Sequence, residues 1–397
     1  MQTAAKTVLI VGAGAGQVPA IQTARAMGWR VVTVDRSPDA HGMTLADVAH
    51  PVDILDLEGV LAVATAENVD GALTMQSDIG VPTIGFVNER LGLPGVTMDV
   101  AQRCSRKDLA RLAWAASGVP QPAFEVTDAA NAAEAVARVG YPCVVKATDS
   151  SGSRGVVKVE RGSDVAAAIT EAARYSRNGT LLVERYVEGL EIGAQTFSLD
   201  GRCRLVLLHN DQVSAPPYMV PTGHSYPLSE SVPSHDEIRA AIARAVDALG
   251  IRDGPANVDL ILDPSGRPML LEVGARIGAT CLPELTTLHT GIDWVKASLL
   301  SAVGITPSLD VTDHVACAAS IIEAPADGVL DSFEVADWVT EHADVLEVEF
   351  SALPGATVSK LRKGTDRIGH VLARGVDLGT AEGLVRRVLH AITVRVS

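Results

Sequence analysis

The sequence of 397 residues predicts an α/β domain with a doubly wound parallel sheet, followed by α+β domains. The chain opens in the order strand, glycine turn, helix, strand, which is how a parallel sheet of this kind begins. A compact module of alternating strands and helices follows, and then a section made mostly of strands. The chain is also too long for one ordinary hydrophobic core, so two or three domains are expected.

We place the first domain at residues 1–105. A β-branched run at residues 7–11 precedes the sequence GAGAG, and a helical pattern extends from Pro19 to Gly28. A second buried strand at Val31–Val34 ends at Asp35. Further strands are expected at 71–74 and 83–86.

We place the second domain at residues 106–305 and a C-terminal α+β domain at 306–397. The second domain begins with a helix at 107–117 and contains a lid subdomain at about 123–183. Strands are expected in the lid at 143–147, 156–159 and 181–184, and after it at 191–199, 203–209, 258–262 and 269–273. Helices are expected at 129–139, 164–176, 235–249 and 379–391, and a further strand near 314–322.

Composition indicates a well-packed globular protein, since 47% of residues are apolar and 20% are charged. A net charge of −15 argues against a general nucleic-acid binder, which would carry a basic face. No apolar run approaches the roughly 20 residues that cross a bilayer. The five cysteines are scattered without a CxxC pair, as expected of reduced thiols. A cytoplasmic protein that does not contact membranes is therefore predicted.

The glycine turn at residues 12–16 is the first candidate binding site. Gln17 stands where a third glycine would complete the GxGxxG spacing, and Asp35 stands where a ribose-binding acid would lie. These residues permit a dinucleotide-binding turn and an NAD-dependent oxidoreductase. They equally permit a tight turn that binds no cofactor.

The second candidate is a strand that ends in Lys146, followed by a loop of small residues at 149–155. Small residues let backbone N–H groups approach phosphate oxygens, and a fixed lysine adds positive charge. A flexible surface hairpin is the alternative interpretation. The third candidate is an apolar strand that ends at Glu184. The backbone that follows this strand could bind the edge of an adenine ring.

The fourth candidate comprises Asp259 and Glu272, on consecutive strands joined by a hairpin turn at Asp263–Gly266. Two facing carboxylates suit Mg²⁺, which takes one or two carboxylates together with substrate phosphates. Arg276 follows four residues after Glu272. A surface acid pair balanced by arginine is the alternative, although both strands are otherwise apolar and a buried acid needs a partner.

In this order and spacing, the motifs resemble the ATP-grasp superfamily of carboxylate–amine ligases, over nearly the whole chain. The segment Gly369–Gly375 resembles the closing domain of its biotin-carboxylase-like branch. The segment Pro216–His224 resembles the substrate loop of bacterial L-amino acid (dipeptide) ligases. The resemblance implies an ATP-grasp fold with a mobile lid, and it implies ATP and Mg²⁺ as cofactors, with two ions expected and Mn²⁺ as an alternative ion.

The resemblance also implies roles for individual residues. Asp259 and Glu272 would bind the metal, Arg276 would stabilise the transition state, and His224 would act beside Arg276 near the reacting carboxylate. The family usually has an asparagine two residues after the second acid, where this chain has Gly274, so another group must replace that metal ligand. The residues expected to bind ATP are Lys107, Lys146, Ser151, Gly152, Ser153, Gly155, Glu184, Tyr186, Val187 and Glu191.

The function so implied is amide or peptide bond formation between amino acids or similar molecules, through an acyl phosphate and with release of ADP and phosphate. Small-molecule carboxylates and amines are the expected partners, and the C-terminal unit and acidic surface permit a homodimer. An ATP-grasp carboxylase and a purine-biosynthesis ligase are the nearest alternatives. An NAD-dependent oxidoreductase and a non-catalytic nucleotide sensor are alternatives of another class.

Overall fold

The computed structural model describes residues 5–150, 152, 154–160, 165–215 and 219–397. Ser151 and Ser153, two of the expected ATP-binding residues, lie outside the described residues, as do residues 216–218 of the expected substrate loop. All five cysteines are free, as the sequence predicts. Among the described helices, none combines the length and apolar character needed to span a membrane.

The N-terminal region is a four-stranded parallel sheet in the order β3-β2-β1-β4. Alternate residues of β1 belong to different hydrophobic cores, Leu9 and Val11 to one and Val8 and Ile10 to the other. The sheet is therefore covered on both faces, as predicted for a doubly wound domain. Its elements are β1 (Thr7–Val11), α1 (Val18–Ala26), β2 (Arg30–Val34), β3 (Val48–His50), α2 (Leu57–Ala66), β4 (Gly71–Leu73), α3 (Val81–Leu91) and α4 (Met98–Ser105).

The strand expected at residues 83–86 is wrong, because these residues lie within helix α3. Pro82 occupies the first turn of this helix, a position that suits proline since its missing N–H would have no partner there. A Cβ atom at Gly85 would lie 2.7 Å from the Cβ of Ala101 and 2.9 Å from the carbonyl oxygen of Thr97. Glycine thus permits close packing of α3 against α4, and this tertiary contact overrides the strand propensity of Thr83, Ile84 and Phe86.

The lid region has its own antiparallel sheet in the order β5-β8-β6-β7. Two helices pack against the sheet, and a separate small core includes Val136, Val145 and Leu181. This segregated core fits a module that moves as a unit. The lid follows helix α5 (Lys107–Ala116), and its elements are β5 (Phe124–Asp128), α6 (Ala132–Val139), β6 (Cys143–Ala147), β7 (Val156–Val159), α7 (Val165–Tyr175) and β8 (Thr180–Arg185).

The largest sheet has eight strands in the order β13-β12-β9-β10-β11-β14-β18-β16. All its neighbouring strands are antiparallel. Its first five strands are β9 (Leu190–Leu199), β10 (Arg202–Val213), β11 (Pro221–Tyr226), β12 (Gly254–Leu262) and β13 (Pro268–Gly274). The helices of this part are α8 (His235–Leu249), α9 (Leu282–Thr290) and α10 (Trp294–Ala302).

The C-terminal unit continues the same sheet with β14 (Ala316–Ile322), β16 (Val345–Phe350) and β18 (Gly369–Gly375). A second, three-stranded sheet has the order β17-β15-β19. Its elements and the neighbouring helices are β15 (Gly328–Val335), α11 (Asp337–Glu341), β17 (Thr357–Val358), α12 (Leu378–His390) and β19 (Ile392–Val396). The sequence indicates only the first strand and the long helix of this unit, and the domain boundaries at 105 and 305 stay predictions.

Candidate active site

One face of the large sheet carries a row of polar residues across four neighbouring strands. Glu272 on β13 lies opposite Asp259 on β12, and Asp259 lies opposite Gly193 on β9. Gly193 in turn lies opposite His209 on β10. Because alternate residues of a strand share a face, this row extends to the neighbouring acids of β9 and β10. The face forms the floor of the candidate site.

Gly193 makes room for this arrangement. A Cβ atom at this position would lie 2.2 Å from His209 Cε1 and 2.9 Å from Asp211 Oδ2. The absence of a side chain therefore lets two polar side chains of β10 lean across β9 toward Asp259. Replacing Gly193 would push them away from the carboxylates.

Asp259 lies among other carboxylates. Burial and the negative charges of Asp211, Glu272 and Glu191 raise the pKa of Asp259 to about 7, although Arg276 opposes the shift. A group of acids with too little positive charge nearby is stabilised by a bound cation. The donors are hard carboxylate oxygens, which Mg²⁺ prefers, so Asp259 and Glu272 fit the predicted metal site.

Arg276 forms an ion pair with Asp78 from the N-terminal region, with Nη2 2.8 Å from Oδ1 and 2.9 Å from Oδ2. Its side chain is only 12% exposed, and its Nε atom has no hydrogen-bond partner. Burial opposes the charge of Arg276, but Asp78, Asp259 and Glu272 keep its pKa raised. A buried guanidinium with an unused donor is available to a developing negative charge.

The same ion pair explains Gly274. A Cβ atom at this position would lie 2.7 Å from Asp78 Oδ1 and 3.3 Å from Arg276 Cζ. The space that an asparagine side chain would need is therefore occupied by the carboxylate of Asp78. Asn257 lies opposite Gly274 on β12 and donates to Asp259 Oδ1 at 2.9 Å.

Lys107 links the lid to Glu272, one of the two carboxylates predicted to bind a metal. As the first residue of α5, it places Nζ 2.8 Å from the carbonyl oxygen of Ser150 and 3.3 Å from Glu272 Oε1. Its side chain is mostly buried. Lys107 therefore stands between the small-residue loop and the acids, where nucleotide phosphates would meet a bound metal.

The side chain of Lys146 belongs to a buried cluster of three charged residues. Its Nζ lies 2.6 Å from Glu184 Oε2, and Arg111 Nε donates to the other oxygen of Glu184. Burial would raise the pKa of Glu184, but the two adjacent cations lower it to about 2. Burial lowers the pKa of Lys146, which Glu184 opposes. Glu184 thus holds Lys146 in place, and the triad of one acid and two cations keeps a net positive charge.

The described part of the loop has backbone conformations that favour glycine. Gly152 and Gly155 have φ angles of +65° and +68°, which glycine adopts without strain. A Cβ at Gly155 would lie 2.7 Å from the Cβ of Tyr175. The loop therefore passes close to α7 on its way from β6 to β7.

The expected adenine-binding segment follows the end of β8 and leads to the central sheet. Tyr186 and Val187 lie outside the strands, and the Tyr186 N–H donates to the carbonyl oxygen of Pro142 at 3.0 Å. Lys158 Nζ lies 3.9 Å from the centre of the Tyr186 ring. Glu191 lies on the sheet floor, where burial and Asp211 raise its pKa. The structure thus aligns this segment between the lid and the metal carboxylates.

His224 lies on strand β11, buried, rather than in an exposed loop. Its Nδ1 is 2.7 Å from Asp211 Oδ1, and His209 Nδ1 is 2.8 Å from the same oxygen. Burial would raise the pKa of Asp211, but the two imidazole rings hold it well below its usual range. Among the described residues, Asp211 rather than Arg276 is the side-chain partner of His224. This contact fixes the ring and directs Nε2 away from Asp211.

The N-terminal glycine turn is filled by its own chain. A Cβ at Gly12 would lie 3.3 Å from the Gln17 side chain, whose Nε2 donates to the carbonyl oxygen of Met75. Asp35 accepts from the N–H groups of Ala13 and Ser37 at 3.0 and 2.9 Å. The acid and the turn therefore stabilise each other, which favours the tight turn over a dinucleotide site.

Four residues of the site are absent from the sequence predictions. Arg111 could have been found, because it lies four residues after Lys107 and three before the buried Trp114 on one helical face. His209 and Asp211 could have been found from their two-residue spacing on a predicted strand. Asp78 gives no local signal, since its partner Arg276 is 198 residues away.

Two parts of the chain match models of known protein families. Residues 139–284 match the model of the ATP-grasp domain, and residues 320–397 match that of the L-amino acid ligase C-terminal domain 2. An uncharacterised protein of Sinorhizobium fredii is 26% identical over 324 residues, which cover 79% of this chain and 66% of that relative. In two further curated relatives, the match covers 48% of the relative's length. The chain therefore spans about half to two thirds of the length of these curated relatives.

Two solved structures have the same fold over nearly their whole length. A phosphoribosylglycinamide synthetase from Anaerococcus prevotii is 26% identical with a TM-score of 0.81, and the match covers 99% of this chain and 100% of that one. An L-amino acid ligase from Bacillus licheniformis is 21% identical with a TM-score of 0.83, and the match covers 99% of each chain. The chain therefore contains an ATP-grasp domain and has the ATP-grasp fold, which confirms the resemblance predicted from the motifs.

Proposed function

We propose that this chain, an ATP-grasp protein, is a carboxylate–amine ligase that joins amino acids or similar substrates and releases ADP and phosphate. One observation carries the proposal. Asp259 and Glu272 face each other on the sheet floor, with Lys107 and Arg276 beside them and the lid's Lys146 and glycine loop adjoining. Metal ligands, phosphate-binding cations and a transition-state arginine thus converge on one place.

ATP and Mg²⁺ are the cofactors of this proposal. Asp259 and Glu272 would hold the metal, and Lys107 and Lys146 would bind the nucleotide phosphates. Bound Mg²⁺ supplies positive charge that neutralises the phosphate oxygens during transfer. Lys107 already contacts Glu272 at 3.3 Å, so one short movement of its ammonium group would bring it to a phosphate.

The first step is the transfer of the terminal phosphoryl group of ATP to a substrate carboxylate oxygen. The bond between the terminal phosphorus and the bridging oxygen breaks, ADP leaves, and an acyl phosphate forms. The transferring group carries negative charge over its outer oxygens, so catalysis depends on positioning and on positive charge. Arg276, buried and with Nε unused, would stabilise that charge.

The second step is attack of a neutral amine nitrogen on the acyl carbon. The new carbon–nitrogen bond forms, the carbon–oxygen bond to phosphate breaks, and the nitrogen loses a proton. His224 could accept this proton through Nε2, because its Nδ1 is already bound to Asp211. Closure of the lid over the site would exclude water, which would otherwise hydrolyse the acyl phosphate.

Two comparisons suggest different substrates within this reaction class. The C-terminal match to an L-amino acid ligase domain favours amino acids. The similarity to a phosphoribosylglycinamide synthetase over the whole chain makes a phosphorylated amine the second candidate.

The proposal is tested by incubating the protein with ATP, Mg²⁺ and paired amino acids, with bicarbonate and phosphorylated amines as further substrates. We expect a product whose mass is the sum of two amino acids minus water, formed together with equal amounts of ADP and phosphate. ATP turnover only with bicarbonate would instead identify a carboxylase. ATP binding with no turnover for any pair would contradict the proposal and favour a nucleotide sensor.

A further inference from the structure

A cavity of about 150 Å³ lies between the N-terminal glycine turn, the start of α9 and the C-terminal strands β16 and β18. It is separate from the metal carboxylates, none of which line it. The polar groups that matter for its chemistry are Gln76, Glu284, Glu349, Arg367 and His370. Three parts of the chain, far apart in sequence, therefore line one cavity, and the charged groups come from α9 and the C-terminal unit.

The cavity adjoins the candidate active site through two chain segments. Arg367 Nη1 donates to Thr280 Oγ1 at 3.3 Å, and Thr280 lies four residues after Arg276. On the opposite wall, Gln76 lies two residues before Asp78, which forms the ion pair with Arg276. A molecule in this cavity would therefore lie next to the segments that hold the transition-state arginine.

Arg367 is available for a ligand. It is half-buried, and among the described residues its side chain makes one hydrogen bond, to Thr280, and has no carboxylate within ion-pair distance. A guanidinium group that lines a cavity without an acidic partner is suited to bind a carboxylate, which it can hold with two parallel hydrogen bonds.

The opposite charge is also present. Glu284 Oε2 is buried without a hydrogen-bond partner, and burial raises the pKa of this carboxyl group. Glu349 lines the same cavity, and its Oε2 lies 3.9 Å from His370 Nε2. Carboxylates at these positions favour a bound ammonium group.

We propose that this cavity binds the amine substrate and that this substrate is an α-amino acid, held by its carboxylate at Arg367 and attracted through its amino group by Glu284 and Glu349. The inference rests on the proposed ligase function and names the substrate class. In a peptide product, the amine substrate keeps its carboxylate free. A carboxylate-binding arginine outside the metal site is therefore what this substrate requires.

The test compares each accepted amino acid with its carboxamide as the amine substrate, in the wild-type protein and in Arg367→Gln. The wild type should prefer the free acid. In the variant, KM for the acid should rise about ten- to a hundredfold, the loss expected for a charged hydrogen bond. The KM values for ATP and for the carboxamide should change little, so the preference for the acid should disappear.

Arg374→Gln is the matched control, because Arg374 lies on β18, seven residues after Arg367, but pairs with Asp344 at 3.0 Å and does not line the cavity. It should keep the wild-type preference. An unchanged KM for the acid in Arg367→Gln, or an equal rise for acid and carboxamide, would overturn the inference. Glu284→Gln provides a second test, since it should weaken binding of the acid and of its carboxamide alike, both of which carry the amino group.

Failure of the ligase function would be seen separately, as absence of amide product from the wild type with every pair. The subsite is then tested by calorimetric titration of the standard L-amino acids into the wild type and Arg367→Gln. Binding that Arg367→Gln abolishes would support the subsite. Absence of binding to the wild type, or equal binding to both proteins, would overturn it.

Discussion

Two carboxylates of the ATP-grasp region, Glu184 and Asp259, show opposite electrostatic behaviour. Glu184 contacts two cations, Arg111 and Lys146, and these lower its pKa to about 2 against the effect of burial. Asp259 lies near three other acids, and burial together with their charges raises its pKa to about 7. Around Glu184 the protein itself supplies two cations for one carboxylate, whereas the acids around Asp259 require an added cation.

This difference separates a structural ion network from a binding site. The triad around Glu184 positions Lys146 and fastens the lid strand β8 to helix α5. The acids around Asp259 repel one another until a cation is bound, so the free protein stores an unfavourable interaction where Mg²⁺ would relieve it. Substitutions at the two places should therefore affect activity and stability in opposite ways.

The largest effect is expected from Glu272→Ala. Glu272 is one of the two facing carboxylates proposed to bind the metal. Its removal should reduce phosphate release by more than about a hundredfold, because losing a residue that only hydrogen-bonds to a metal ligand already lowers metal affinity or activity by about 10–100-fold. Phosphate release in the presence of ATP, Mg²⁺ and both substrates measures this. Glu237→Gln, on the exposed side of α8, is the control and should be unaffected. Wild-type turnover in Glu272→Ala would show that the metal site lies elsewhere.

Arg276→Gln should lower kcat by about 100- to 1,000-fold, the usual loss when one transition-state donor is removed. The substitution removes the positive charge beside Asp78, but Lys107 and Lys146, which are proposed to bind the nucleotide, stay in place. Binding of a fluorescent ATP analogue, measured alongside turnover, should therefore be retained. Loss of nucleotide affinity with kcat unchanged would assign Arg276 to ATP binding instead.

Glu184→Gln should lower the free energy of unfolding by about 3–5 kcal/mol, since it leaves Arg111 and Lys146 buried without a counter-charge. Denaturant unfolding at neutral pH measures this loss. Glu125→Gln breaks an exposed pair with Arg138 and should cost only about 0–1 kcal/mol. Similar losses in the two variants would mean that Glu184 does not stabilise the two buried cations as described above.

Asp259→Asn should have a smaller effect on stability than Glu184→Gln, and in the opposite direction. It removes the repulsion among the acids and should raise the unfolding free energy of the metal-free protein by about 0.5–2 kcal/mol while abolishing turnover. Because the folded pKa of Asp259 is raised, the folded state binds the extra proton between pH 3.8 and about 7. The wild type should therefore lose stability as pH rises through this range.

The variant should lack this part of the pH dependence, and Mg²⁺ should stabilise the wild type but not the variant. Thermal unfolding across this pH range, with and without Mg²⁺, measures both effects. Glu184 should give the opposite pH dependence of stability. Because its pKa is lowered in the folded state, it stabilises the folded protein above pH 4.5, and this stabilisation is lost as pH falls toward 2. An identical pH profile for Asp259→Asn and the wild type would contradict the account of the acids.

The sequence predicts the parts of the site that depend on local patterns. The strand that ends in Lys146 and the Asp259–Glu272 hairpin follow from apolar runs and turn residues, and the structure has both. The strand expected at Thr83 is wrong, because close helix packing at Gly85 decides that segment. Asp78 is not predictable from local pattern, since its role arises from the approach of two regions that are distant in sequence.

The roles of the individual residues show the same division. The sequence identifies His224 but assigns it to Arg276, whereas the structure shows Asp211 as its partner. In the sequence, Gly274 indicates a missing metal ligand. The structure shows that Asp78 occupies the space that a side chain at this position would need. Residue types and spacing thus indicate the chemistry, and long-range contacts decide which side chains act together.

The central claim, that a substrate carboxylate is activated as an acyl phosphate, is tested most directly with a carboxylate substrate labelled with oxygen-18. One labelled oxygen should pass from the carboxylate to the released phosphate in each turnover, and the amide should retain the other. Mass spectrometry of the phosphate and the amide measures both. Released phosphate without oxygen-18, in a reaction that still forms the amide, would contradict activation by phosphorylation of the carboxylate.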